Sequence, residues 1–300
     1  MSEPPPYQVE PVCARHPERV AYVRCQRCGR PTCPECQRPA AVGIQCVDCV
    51  REGQKSVRTA RTQFGGKVST QGRPVVTLTI IVICVVVWLA QKASPSFSDA
   101  LAFWPPAARS QPWRFLTAAF EHDTSAGLPL HILFNMYALW VLGQFIEPML
   151  GHVRFAALYL VSAIGGSVGY LVMTSPQLDP ASGAVYWTAT VGASGAVFGL
   201  FGALIVFNRH LGRSSRPLYI LLAINAVIGF VPGIAWQAHV GGFLTGAAVA
   251  AVITATAPQN RRRLQLPALV VLLVLLVVAA ATKYALVNDS MLHSIVSLDA

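Results

Sequence analysis

Three hundred residues with 54% hydrophobic and 12% charged side chains, a mean hydropathy of +0.50 and a net charge of +10 are too apolar for a soluble globular chain. A secreted disulfide scaffold is excluded too, because seven of the eight cysteines crowd into residues 13–49 as spaced pairs. The charge is uneven: residues 1–73 hold 12 Lys and Arg against 6 Asp and Glu, so a basic, water-soluble front quarter precedes an integral membrane portion.

Residues 1–12 are Pro-rich and carry Glu3 and Glu10, with neither a basic nor an apolar signal-peptide region. They read as a disordered, cytoplasmic N-terminus. The ligands of residues 13–50 then run Cys13-x2-His16, Cys25-x2-Cys28, Cys33-x2-Cys36 and Cys46-x2-Cys49. Two residues between ligands let a tight knuckle aim both side chains at one ion, and Zn²⁺ takes four N or S donors. Eight ligands predict two structural Zn²⁺, with no position open for catalytic water. The spacing resembles the B-box type of zinc finger, whose interleaved pairs imply Cys13, His16, Cys33 and Cys36 on one ion and Cys25, Cys28, Cys46 and Cys49 on the other. So few large apolar side chains cannot form a core, and the metal is expected to supply the folding free energy. The basic surface (Arg15, Arg19, Arg24, Arg27, Arg30) has no reading helix, which disfavours nucleic acid and favours a cytoplasmic protein partner or the membrane surface.

Residues 51–73 read as a basic linker, whose charge favours the cytoplasmic leaflet. Seven apolar runs follow, at residues 75–91, 128–146, 155–173, 187–207, 218–235, 236–257 and 266–282, each near the length of about 20 residues that spans hydrocarbon. Cys84, in the first, reads as a small buried hydrophobe. Arg154, the arginines at 209, 213 and 216, and those at 261–263 put the connections after spans two, four and six in the cytoplasm, giving N-terminus in and C-terminus out at the plasma membrane. The first external loop, residues 92–127, is rich in aromatics and proline and is expected to be a folded interfacial element.

Polar residues inside these spans cluster. His131 and Asn135 lie near the start of span two, Ser194 near the start of span four and His239 near the start of span six, all at one depth in this orientation. A serine in a membrane helix most often bonds back to its own helix or lets helices pack. Shared depth on three helices argues for more, since buried polar groups face one another or a water-filled cavity. A serine becomes nucleophilic when a base within hydrogen-bond reach takes its proton, and His239 is suited to that because glycines on spans four and six allow close approach. His131 and Asn135, four apart on one helix face, can donate hydrogen bonds with the Ser194 backbone N–H to a developing oxyanion. The rival reading makes them helix glue. Metal ligation by His131 and His239 is disfavoured, as no acidic or thiol partner shares their depth.

Gly192-Ala193-Ser194-Gly195, His131-x3-Asn135 and His239 with Gly242 and Gly246 resemble the rhomboid intramembrane serine proteases. Trp113-Arg114, His122, Glu147 and Gly151 extend the match over about residues 75–257. The resemblance implies an all-α polytopic fold of six helices (residues 74–257) plus a seventh in residues 258–300, after the zinc module. It implies a Ser194–His239 dyad without an acidic third member or a catalytic cofactor. The substrate it implies is a transmembrane segment cut near the outer face. Phe198 stands where many members have tyrosine. A non-proteolytic member that binds transmembrane helices is the alternative within the family, although such proteins lack the serine or the histidine; a transporter is disfavoured for want of inverted repeats.

Overall fold

The computed structural model describes residues 10–56, 62–66, 73–125, 129–174, 188–228 and 233–298, and falls into two units, Met1–Ala60 and Arg61–Ala300. In the first, a short antiparallel hairpin pairs β1 (Gln37–Pro39) with β2 (Ile44–Cys46), and helix α1 (Val47–Ser56) follows directly. Its interior is cysteine: among residues 10–56 only Ala21 and Thr32 join six of the seven cysteines there in being buried. No apolar core of ordinary kind is present to hold these turns together. Helix α1 runs through residues 51–56, which the sequence suggested were linker.

The described part of the second unit is mostly helical. Helix α2 (Val75–Ala93) leads into three short helices, α3 (Pro95–Leu101), α4 (Pro105–Ala108) and α5 (Arg114–Thr117). Longer ones follow: α6 (Leu130–Leu150), α7 (His152–Met173), α8 (Ser194–His210), α9 (Arg216–Ile228), α10 (Trp236–Ala255) and α11 (Gln265–Leu298). Among the described residues, Val75–Ala93, His152–Met173, Trp236–Ala255 and Gln259–Val287 are long and apolar enough by themselves to cross a membrane. Large apolar side chains stand exposed on these helices, such as Val82, Val86, Leu244, Val271 and Leu275, and on α6, such as Phe134 and Phe145. So much bare apolar surface is at home in lipid and not in water.

Three boundaries differ from the sequence reading. The fourth long helix begins at Ser194 and not near residue 187, because the chain ahead of it is extended and Gly192 takes φ +131°. The helix after it ends its described part at Ile228, and residues 229–232 of the fifth expected span lie outside the described residues. The seventh helix continues to Leu298, through what was read as an external tail after residue 282.

Helices α7, α8 and α10 form the centre. Glycine makes this possible: a Cβ on Gly242 would collide with the carbonyl of Gly195, and one on Gly246 with that of Gly199, so the backbones of α8 and α10 touch. Around them Leu139, Ile146, Phe155, Leu158, Tyr159, Leu200 and Phe207 are fully buried. Cys84 is fully buried within this cluster, as a small hydrophobe should be.

Two devices tie the far end of the bundle from Ser194. The Glu147 carboxylate accepts from the backbone N–H of Val76 (2.8 Å) and Thr77 (2.8 Å) and from the Thr77 hydroxyl (2.6 Å), filling the orphan donors at the start of α2. His152 Nδ1 adds a hydrogen bond to Glu147 Oε1 at 2.6 Å. The other device lies in residues expected to be plain linker. Thr62 and Gly66 close a turn (Thr62 N–H to Gly66 O, 2.7 Å) and Thr62 Oγ1 donates to Met149 O at 2.5 Å. Between them Phe64 is buried against Phe207, with ring centroids 4.9 Å apart. One aromatic among polar neighbours carries no periodicity, which is why the sequence hid it.

Candidate active site

Ser194 is presented by a short extended segment that the folded first loop holds. Thr188 O accepts from Tyr170 Oη (3.2 Å), Thr190 exchanges both backbone hydrogen bonds with Phe103 (3.0 and 2.8 Å), and Gly192 N–H donates to Ala118 O (2.9 Å). Every second residue is thus pinned, as an alternating strand requires. The loop is itself organised by buried Arg114, whose guanidinium donates to Ala102 O (2.7 Å), Asp99 O (2.6 Å) and Gln111 Oε1 (2.6 Å). Because α8 starts at Ser194, the backbone N–H of that residue has no partner within the helix and lies at the positive end of the helix dipole.

His239, in the first turn of α10, places Nε2 2.9 Å from Ser194 Oγ. Its ring is stacked on Phe198, one turn along α8 from the serine, with centroids 4.2 Å apart and planes 6° from parallel. The contact of Gly195 with Gly242 brings the two helices near enough for this bond. A long helix–helix separation would leave hydroxyl and imidazole unable to meet.

His131 lies beside them. Its Nδ1 accepts from the backbone N–H of Asp123 at 3.1 Å, so in the neutral ring the proton sits on Nε2. That nitrogen is packed against Gly192: a Cβ there would meet His131 Cε1 and Nε2 at 2.9 Å. With φ +131° as well, the position suits only glycine. Asn135 is buried and donates one amide hydrogen to His131 O at 2.9 Å, which leaves its second hydrogen for another acceptor. His122 is fully buried, 5.2 Å from the His131 ring between centroids, and neither of its ring nitrogens has a hydrogen-bond partner among the described residues. A small, partly open cleft lies beside Ser194, walled by small residues that include Ala119, Ala163, Gly166, Ser167 and Ala238.

The four residues singled out in the sequence are therefore placed as follows: Ser194 and His239 bond directly, His131 borders Gly192 at the serine, and Asn135 supports His131 one turn along. Nothing in the sequence marked Asp123, which sets the His131 tautomer through its backbone, or the pairing of Phe103 with Thr190. Main-chain contacts of this kind leave no residue signature.

In the first unit, the eight expected ligands gather into Cys13, His16, Cys33 and Cys36, and Cys25, Cys28, Cys46 and Cys49, the donor atoms of each set lying within 4.8 Å of one another. His16 turns Nδ1 to Cys33 Sγ (3.3 Å) and Cys36 Sγ (3.4 Å). Backbone amides point at sulfur, Cys46 N to Cys25 Sγ at 3.2 Å and Cys49 N to Cys46 Sγ at 3.4 Å, which suits thiolates. Arg30 donates to Cys28 Sγ at 3.4 Å and draws the Cys28 thiol below its ordinary pKa. Both sets fit a tetrahedral zinc ion in number and donor type.

Residues 109–256 match the family described as "Rhomboid domain". The chain carries a rhomboid domain. RHOMBOID-like protein 5 of Arabidopsis thaliana is 33% identical over 141 residues, covering 45% of this chain and 41% of that protein. RHOMBOID-like protein 6, mitochondrial, from the same plant is 32% identical over 145 residues (46% and 42%). Rhomboid protease GluP of Bacillus subtilis is 34% identical over 155 residues (49% and 27%). The chain spans less than half the length of each of these relatives. Within the rhomboid domain lie Asn135, His131, Ser194 and His239; the cysteine unit lies outside it.

Proposed function

We propose that this protein is an intramembrane serine endopeptidase that cuts transmembrane segments of other membrane proteins. The 2.9 Å bond between His239 Nε2 and Ser194 Oγ carries the reading. A serine hydroxyl held on an imidazole nitrogen is the minimum machinery of acyl transfer, and the rhomboid domain supplies the membrane setting. The name of GluP, a rhomboid protease, supports the same class of activity.

In this reading His239 Nε2 takes the Ser194 proton as Oγ attacks the scissile carbonyl, forming a C–O bond and a tetrahedral oxyanion. The Ser194 backbone N–H, His131 Nε2–H and the second Asn135 amide hydrogen stabilise that charge. The intermediate expels the amine, which receives the proton from His239, and leaves an acyl-enzyme. Water, activated by the same imidazole, then hydrolyses the ester. The Phe198 ring holds His239 in plane through both transfers. Alanine and glycine walls around the cleft favour a small side chain next to the cut bond.

The site opens at the outer face of the plasma membrane, with the N-terminus in the cytoplasm, as the arginine-bearing connections suggest. Two structural Zn²⁺ hold the first unit, which presents a basic surface to a cytoplasmic protein partner. The test is covalent labelling of the full-length protein in liposomes with a serine-directed phosphonate. We expect modification at Ser194 that Ser194→Ala and His239→Ala abolish. Absence of label on the unsubstituted protein, with no cleavage of any transmembrane peptide, would favour the non-proteolytic alternative that only binds helices.

A further inference from the structure

We propose that the seventh helix, α11, is a positioning element for the nucleophile, acting through Tyr284 on the loop that holds the Ser194 segment. The idea rests on the proposed protease reading for its activity readout, although its structural part does not.

At one end α11 is anchored by Gln265, whose Oε1 accepts from Arg154 Nε (2.7 Å) and whose Nε2 donates to Thr256 Oγ1 (3.1 Å). Toward the other end its packed face, Leu276, Ala279, Ala280, Tyr284 and Val287, joins an apolar cluster with Val168 and Leu171 of α7 and with Phe103. Tyr284 Oη donates to Pro105 O at 2.8 Å. The helix therefore grips the first loop both by side-chain packing on Phe103 and by a hydrogen bond two residues further on.

Phe103 is the loop residue whose backbone pairs with Thr190. It is fully buried and meets Phe115 (centroids 4.9 Å) and Tyr170 (6.0 Å), and Tyr170 holds Thr188. A continuous set of contacts thus runs from Tyr284 through Pro105 and Phe103 to Thr190, four residues ahead of Ser194. The neighbouring lock, Gly192 N–H on Ala118 O, belongs to the same loop. Most of the bonds fixing the nucleophile segment come from a loop whose short helices have little core of their own, so an external buttress has something to hold. Elsewhere on α11, Leu269 and Leu272 are partly buried against the main core and the outer face is bare and apolar, and simple anchoring would need no tyrosine hydroxyl aimed at a loop carbonyl.

The substitution that isolates the claim is Tyr284→Phe in the full-length protein, which keeps the ring in the cluster and removes only the donor. In liposomes we expect phosphonate labelling of Ser194 to slow about 3- to 10-fold, in keeping with one neutral hydrogen bond. Turnover of a transmembrane substrate should fall by a similar factor with KM within twofold of the parent. Amide exchange should quicken at Phe103, Thr190 and Gly192 while amides within α7 and α8 keep their protection, which a general loss of stability would not produce. Tyr284→Leu, also without the donor, should behave alike. Unchanged exchange at those three amides would overturn the proposal, whatever the activity. Labelling and turnover of Tyr284→Phe equal to those of the parent would overturn it as well. If the unsubstituted protein takes no label at all, the protease reading fails, and the exchange measurement still decides whether α11 holds the loop.

Discussion

The cysteine unit and the helical bundle solve opposite problems. In the first, the candidate metal ligands are also the residues that are buried: apart from Ala21 and Thr32, everything buried within residues 10–56 is a cysteine of the two candidate ligand sets. In the bundle, folding and the proposed chemistry are separated. Leu, Ile, Phe and Gly close the centre, whereas Ser194, His131 and His239 stand at the ends of helices and contribute little to packing. A residue that does both jobs cannot be removed without unfolding its unit. A residue that does only chemistry can.

The largest effect should follow from metal removal. Structural zinc in small modules contributes about 10–16 kcal/mol near neutral pH. Metal analysis should find two zinc ions per chain, and Cys33→Ser should lose one. Chelation should make residues 10–56 sensitive to protease while the melting of the bundle stays where it was. A bundle that melts with the module would dissolve the contrast.

The opposite signature belongs to the dyad. Ser194→Ala and His239→Ala should each lower cleavage by roughly four to six orders of magnitude. The thermal midpoint of the bundle should be unmoved or slightly raised, since each change removes a polar group from an apolar setting. Cleavage assays beside thermal melts read both quantities. Substantial loss of stability in either variant would mean that these residues are packing residues after all.

How much of this was legible follows the same division. Ligand pairs are written in fixed two-residue gaps, so all eight could be named from the sequence, whereas their interleaving was implied by the likeness to B-box zinc fingers and left open by the spacing itself. Ser194, His239, His131 and Asn135 were legible because polar residues in apolar runs stand out, and because glycines on two helices promised a close crossing. What stayed hidden is main-chain architecture: the extended entry to α8 that moved its start to Ser194, the pairing of Phe103 with Thr190, and the Asp123 amide on His131. Backbone bonds place no demand on residue type. Phe64 stayed hidden because a lone aromatic in a basic stretch has no period to announce it.

Phe64 offers an intermediate test, being a packing residue within a stretch that reads as linker. Its burial against Phe207 predicts that Phe64→Ala costs about 3–5 kcal/mol of bundle stability. Denaturation in detergent micelles, compared with the parent, measures it. A cost below about 1 kcal/mol would return residues 62–66 to the linker.

The smallest effect should come from Phe198, where the two roles meet. Its ring lies 4.2 Å from that of His239 and nearly parallel to it, and it also meets Phe201 at 6.1 Å, so it is at once part of α8 packing and the seat of the proposed base. Removing the ring in Phe198→Ala should free the imidazole to rotate off Ser194 Oγ and cut turnover about tenfold, the scale of a 1–1.5 kcal/mol aromatic contact. Phe198→Tyr keeps the face that stacks and adds a hydroxyl at the ring edge, away from the contact plane. Turnover should then stay within about threefold of the parent, because stacking depends on the π face and not on the substituent. A large gain with tyrosine would show instead that the hydroxyl has a task at the site, and that phenylalanine here leaves it undone.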